Sequence, residues 1–297
     1  MENSPMMQKA QALVRDCVDL PTIPTVAAKI LKLLNSFDAE MDTIVDMILS
    51  DQVLAARVIK MVNSPLYRPR HEINSVRHAL TYLGFRHIRE IVMTCSIIDV
   101  FRDKNGAFDI KTFWEHSLGV GIVARIIAQR IRFPEIEKAY LAGIVHDIGE
   151  VFLSYYMKET LQEILDLIAS EPLRWIASEE RLIGTTHCHI GLCIANKWNF
   201  PQEYCEVIEH HHAPREAPLE PLLAAIINLA DLFCSVRGLD YGGREWISFN
   251  LAEEEGWRII EDFTPNRLNF DAEKFCFELD DRVPEIREMV TYIFVGT

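Results

Sequence analysis

The residues of this chain best suited to chemistry are a scattered set of histidines and aspartates. His146-Asp147 follows the apolar run Leu141-Ala142-Gly143-Ile144-Val145 and precedes Ile148-Gly149. An imidazole beside a carboxylate suits a borderline or hard divalent cation. The aspartate could bridge two ions or hold a metal-bound water. Taken alone, the pair reads equally well as a surface dipeptide near a helix end. His116 lies about one helical hairpin upstream, in Trp114-Glu115-His116-Ser117. His187 and His189 fall in Thr185-Thr186-His187-Cys188-His189-Ile190-Gly191, and the run His210-His211-His212 follows. Asp231 interrupts an otherwise apolar helix, in Asn228-Leu229-Ala230-Asp231-Leu232. A buried carboxylate without a partner is very costly, and a cation would supply one. Each member also has a plainer reading. His116 alone could be a hydrogen-bonded core histidine and Asp231 alone a capping or network aspartate, and His189 and His210 read as surface residues.

Helices must position these groups. Periodicity near 3.6 dominates, strand alternation is nearly absent, and no Asn-Gly or Asp-Gly hairpin signal occurs. Leu20-Pro21-Thr22-Ile23-Pro24 forces an extended entry, after which Val26, Ile30, Leu33 and Leu34 mark one stripe. Helices are expected at 44–49 and 53–62, ending at Asn63-Ser64-Pro65. A further one starts after Asn74 or Ser75 and resumes beyond Gly84 to about residue 98. The later helices are expected at 112–130, 135–146, 158–169, 178–197, 201–210, 221–236 and 284–294. Gly242-Gly243 reads as a loop, and Glu253-Glu254-Glu255 as a solvated acidic helix face.

The chain has 297 residues, enough for one large domain or two packed ones. Its net charge of -14 repels phosphate backbones and anionic membranes as a whole. Its 7 cysteines are odd in number and none are in Cys-x-x-Cys spacing, so reduced thiols in a cytoplasmic protein are expected rather than a disulfide framework. No stretch reaches the roughly 18–20 apolar residues that a membrane span needs, and the start of the chain lacks a signal-peptide core.

The order His, His-Asp, His, His-His, Asp resembles the HD metal-dependent phosphohydrolase superfamily. The stretch LPTIPTVAAKILKLL…IVDMILSDQVLAARVIKMVNSPLYRPRHEINSVRHALTYLGFRHIREIVM is similar to the HDOD family of bacterial signalling and output domains. The Leu-Pro-x-x-Pro entry, the Asp-x-x-Leu helix, Asn-Ser-Pro and Ala-Leu-x-x-Leu-Gly match it in order, and the resemblance covers about residues 20–236. It implies an all-α fold, with an N-terminal helical layer over 1–100 and an HD-type core over 101–237. Residues 1–237 would form one unit, and 238–297 a helical appendage. Carried over residue by residue, it implies a first divalent metal on His116, His146, Asp147 and Asp231. A second would sit on His187, His211 and His212, with Asp147 bridging. His187 is preferred to His189 because it falls where similar proteins place histidine in His-x-x-Ile-Gly. The metals would be Fe, Mn, Ni, Zn or Mg, and His146 and Asp147 would carry any catalysis.

Two departures bear on function. Glu150 stands where active relatives carry a lysine expected to contact substrate phosphate, and a glutamate there would repel it. The cyclic-dinucleotide phosphodiesterase branch has Gly-Tyr-Pro after its histidine pair, whereas this chain reads Ala213-Pro214-Arg215. The expectation is therefore a cytoplasmic regulator working through a signalling protein partner. The alternative is a metal-dependent phosphohydrolase acting on a nucleotide or other phosphoester. DNA binding through residues 74–98 is a weaker reading. Residues 51–90 carry seven Lys/Arg and three Asp/Glu, 7 − 3 = +4, but solvated arginines on a packed hairpin explain that balance equally.

Overall fold

The computed structural model describes residues 4–17, 20, 29, 40–101, 106–170, 175–241, 250–264 and 271–294. Every regular element among them is helical. Most of the Leu20–Pro24 entry, the helix expected after it and the Gly242-Gly243 loop lie outside the described residues.

The described helices are α1 (Pro5–Asp16), α2 (Met41–Leu49), α3 (Gln52–Val62), α4 (Val76–Phe101), α5 (Ile110–Arg130), α6 (Ile136–Val145), α7 (Ile148–Tyr156), α8 (Lys158–Ser170), α9 (Trp175–Ile183), α10 (His187–Lys197), α11 (Gln202–His210), α12 (Pro221–Val236), α13 (Glu255–Phe263), α14 (Ala272–Asp280) and α15 (Arg282–Phe294). They form two compact units. The larger comprises 1–20 and 104–279, the smaller 21–103 and 280–297. This partition differs from the three consecutive segments expected. Helix α1 joins the larger unit because Met7, Ala10 and Val14, its buried stripe, pack on α10. Helix α15 joins the smaller unit by packing on α3.

Within the smaller unit, Asp51 caps α3 by accepting from the backbone N–H groups of Val53 and Leu54. The Asn63-Ser64-Pro65 stop is clamped by one side chain. Asn63 Nδ2 donates to Ile59 O and Ile73 O at 2.9 and 2.7 Å, and its Oδ1 accepts from Ile73 N at 2.8 Å. The two helical segments expected on either side of Gly84 are the two parts of α4, broken at Gly84, whose φ of 77° is a conformation that other residues adopt only at a cost. Arg77 at its start pairs with Asp42 of α2, and Arg57 of α3 pairs with Asp99.

The larger unit carries the candidate ligands, and two close helix crossings align them. Helices α5 and α6 meet where a Cβ on Gly143 would lie 2.7 Å from Gly121 Cα. Helices α7 and α10 meet where a Cβ on Gly149 would lie 2.0 Å from His187 O and 2.9 Å from Gly191 N. Backbone cannot yield as a flexible side chain does. Gly143→Ala is therefore expected to lower the unfolding free energy by about 1–3 kcal/mol through overpacking. Alanine's higher helix propensity, worth about 1 kcal/mol, offsets only part of this. An unchanged urea midpoint would show that the crossing relaxes freely.

Two helix boundaries differ from expectation. The helix expected over 178–197 is two helices, because Gly184 takes a φ of 74° and Thr186 starts α10 as its N-cap. The expected helix through His146 stops at Val145, and α7 begins at Ile148. The acidic triplet crosses the junction between a short 3-10 turn (Leu251–Glu253) and α13, so it is not a continuous helix face.

Candidate metal centre

His116 sits on α5, which supplies a buried face of Phe113, Trp114, Ser117 and Val120 around it. His146 and Asp147 occupy the break between α6 and α7. Aspartate at a helix N-cap normally accepts from the first-turn N–H groups, yet Asp147 makes no such bond. Both its oxygens turn instead toward imidazoles. Oδ2 lies 3.2 Å from His146 Nε2 and 3.5 Å from His116 Nε2. Oδ1 lies 3.2 Å from His211 Nε2 and 3.3 Å from His187 Nε2. On the Oδ2 side, His116 Nε2 is 3.3 Å from His146 Nε2 and 3.4 Å from Asp231 Oδ1. On the Oδ1 side, His187 Nε2 is 3.4 Å from His211 Nε2. One potential ligand atom each from His187, Cys188, His211 and His212 lies within 4.8 Å of the others. The structure thus gathers every residue of the expected ligand set around Asp147, in two groups. His189 stays outside, its Nδ1 2.8 Å from Thr186 Oγ1. His210, expected at the surface, is buried and lies 3.4 Å from Glu209.

The far sides of the rings are anchored. His116 Nδ1 is 2.8 Å from Leu239 O, His146 Nδ1 is 2.8 Å from Gly143 O, and His211 Nδ1 is 3.1 Å from Ile208 O. A carbonyl oxygen can only accept, so Nδ1 keeps its proton and Nε2 is the nitrogen left to face the cluster. His187 is anchored by a carboxylate. Glu179 Oε2 lies 2.9 Å from its Nδ1 and accepts from its backbone N–H at 3.0 Å. Such outer partners fix ring orientation and raise ligand basicity.

Charge follows the same geometry. Burial alone would raise the Asp147 carboxyl, but the His146 charge and hydrogen bonds from His116, His146 and His187 hold it well below the usual carboxylate range. Burial alone would lower His146, and Asp147 more than offsets this. Burial opposes protonation of His187 as well, yet Cys188, Glu179 and the Asp147 bond place it well above the ordinary histidine value. For His211 burial wins and its value falls.

These donors fit divalent cations: imidazole nitrogens pre-aimed by their outer partners, around a carboxylate presenting one oxygen to each group. His116, His146 and Asp231 could hold one ion with Asp147 Oδ2, and His187, His211 and His212 another with Oδ1.

Sequence reasoning missed three residues here. Glu179 lies eight positions before His187, across a helix break that periodicity does not reveal. Tyr241 donates its hydroxyl to Asp147 Oδ2 at 2.6 Å and stacks edge-on to His116 at 5.1 Å, and no local pattern announces it. Cys188 reads in the sequence only as a buried thiol. Glu150 has a different role from the one expected. It is fully buried, accepts from Trp175 Nε1, and lies 3.3 Å from His187 Nδ1, the ring nitrogen turned away from Asp147. It therefore backs a ligand. Glu179→Gln is expected to weaken metal binding about 10–100-fold, measured by competition with a chromophoric chelator. Unchanged affinity would show the Glu179 contact to be dispensable.

A sequence model of the HDOD domain matches residues 20–214. The chain belongs to the HDOD family. An HDOD domain protein from Geobacter sulfurreducens is 33% identical, with each chain covered over 98% and a TM-score of 0.86. A candidate phosphohydrolase from Shewanella amazonensis shares the fold, with a TM-score of 0.76 at 21% identity over 99% of this HDOD chain and 100% of its own. An uncharacterized protein of Treponema pallidum is 23% identical over 222 residues, 73% of this chain but only 43% of that longer relative. The HDOD chain thus spans less than half of that curated relative. Among the described residues, no helix is long and apolar enough to cross a membrane.

Proposed function

We propose that this HDOD protein is a cytoplasmic regulator whose core holds a pair of divalent cations bridged by Asp147, and that it acts by binding a signalling partner. The observation that carries the metal centre is the division of Asp147, one oxygen facing His116 and His146 and the other His187 and His211. The regulatory role is favoured by burial. His116, His146, Asp147, His187 and His211 are at most 1% exposed, so the cations would serve first as internal struts joining α5, α6, α10, α11 and α12. The HDOD resemblance to bacterial output domains supports the same role.

A second reading is phosphoester hydrolysis. Two cations sharing a carboxylate would supply an acidified water and a clamp for phosphoryl oxygens. The chain's own part would be to hold the ligands rigid through Leu239 O, Gly143 O and Glu179, and to orient Asp147 through the Tyr241 hydroxyl. His212 is the half-buried member of the expected ligand set, the others being buried, and this favours the second reading.

Turnover of bis(p-nitrophenyl) phosphate by the fully metal-loaded chain separates the two. Absence of turnover at full loading is the expected result. Turnover that vanishes in Asp147→Ala would establish the hydrolase and displace the regulatory reading.

A further inference from the structure

The second group contains a donor that neither histidines nor carboxylates explain. Cys188 follows His187 directly on α10, and its Sγ lies 3.4 Å from His187 Nε2. The thiol is buried. His187 Nε2 is also 3.4 Å from His211 Nε2, and His212 completes a set whose ligand atoms all lie within 4.8 Å of one another. Two ligands of one zinc at near-tetrahedral angles, with Zn–N of about 2.0–2.1 Å and Zn–S of about 2.3 Å, stand about 3.3–3.6 Å apart. The two edges on His187 Nε2 therefore already have the length that one shared ion would give them.

Resting on the proposed metal centre, we propose that Cys188 is a thiolate ligand of the second cation, joining His187, His211, His212 and the Asp147 Oδ1 that faces them. The two positions then differ in kind. The first offers two imidazoles and two carboxylates. The second adds a soft sulfur, which selects a thiophilic ion such as Zn2+, Fe2+ or Co2+ over Mg2+ or Mn2+. On binding, the thiol proton leaves to solvent and sulfur takes its place on the metal. The other cysteines offer no comparable setting among the described residues, since none belongs to a metal-competent group.

Reconstitution of the full chain with Co2+ and electronic absorption tests this. The wild type is expected to show a near-ultraviolet sulfur-to-cobalt charge-transfer band, and Cys188→Ser to lose it while still binding cobalt. Bound cobalt without that band, or a band that persists in Cys188→Ser, would overturn the thiolate ligand and leave the metal centre standing. Failure of the wild type to bind Co2+ at all would overturn both. Should Cys188→Ser not fold, zinc K-edge X-ray absorption of the Zn2+-loaded wild type decides the question. A sulfur shell at about 2.3 Å is expected, and a shell of nitrogen and oxygen alone would contradict the proposal.

Discussion

Asp147→Ala is expected to lose both cations, whereas His116→Ala loses one. The asymmetry follows from the bridge. Asp147 is the residue whose two oxygens face different histidine pairs, at 3.2–3.5 Å on one side and 3.2–3.3 Å on the other. Removing it takes an anionic ligand from each ion at once and leaves like-charged cations without the carboxylate between them. His116 belongs to the group of His146, Asp231 and Asp147 Oδ2, so its loss leaves the set on His187, His211 and His212 in place. The substitution also affects the metal-free chain, because Asp147 balances the raised protonation of His146 and His187. Breaking a buried ion pair on one side costs about 3–5 kcal/mol. Elemental analysis of both variants with a urea titration checks each part. Equal metal content in Asp147→Ala and His116→Ala would contradict the bridge.

Removing the metal is expected to destabilise the larger unit strongly, and more so as pH rises. A ligand present at about a thousandfold its dissociation constant adds about 4 kcal/mol per site, so chelation should lower the thermal midpoint clearly. The pH dependence has a definite sign. His146 and His187 are raised when folded, so their stabilising contribution is fully present below the unfolded value of about 6.5. It is lost as pH climbs through their folded values. Asp147 is lowered, so its contribution is fully present above about 3.9 and is constant in the same range. His211 is lowered too, and its contribution is fully present above about 6.5. Above that pH the metal-free chain therefore weakens through His146 and His187. Metal affinity rises over the same range, because a cation must displace the same protons. Thermal unfolding at about pH 6 and about pH 8, either side of the ordinary histidine value, with and without chelator, should show the gap between loaded and stripped protein widening at the higher pH. A midpoint indifferent to chelator at both would contradict a metal-supported core.

The part of this centre legible in the sequence was the part carried by residue type and order. The His146-Asp147 step, His116 upstream, the later histidines and Asp231 in an apolar helix announce themselves because buried polar groups need partners. The all-α class followed from periodicity, and the helix end at Val62 from the Asn63-Ser64-Pro65 stop. What stayed hidden depends on contacts distant in the chain. Tyr241 reaches Asp147 across 94 positions, and α1 packs on α10 from the far end of the sequence. Glu150 kept the right position and received the wrong role, because chain order does not say which nitrogen of His187 it faces. The continuous helix read over 178–197 failed at Gly184 and Thr186, where a positive φ and a cap outweigh a pattern that runs on through both segments.

Anomalous diffraction from crystals of the full chain grown with Mn2+ and Zn2+ tests the central claim most directly. The expected result is two anomalous peaks, one between His116, His146 and Asp231 and one between His187, His211 and His212, with the Asp147 carboxylate between them. A single peak, or none at saturating metal, would contradict a bridged pair.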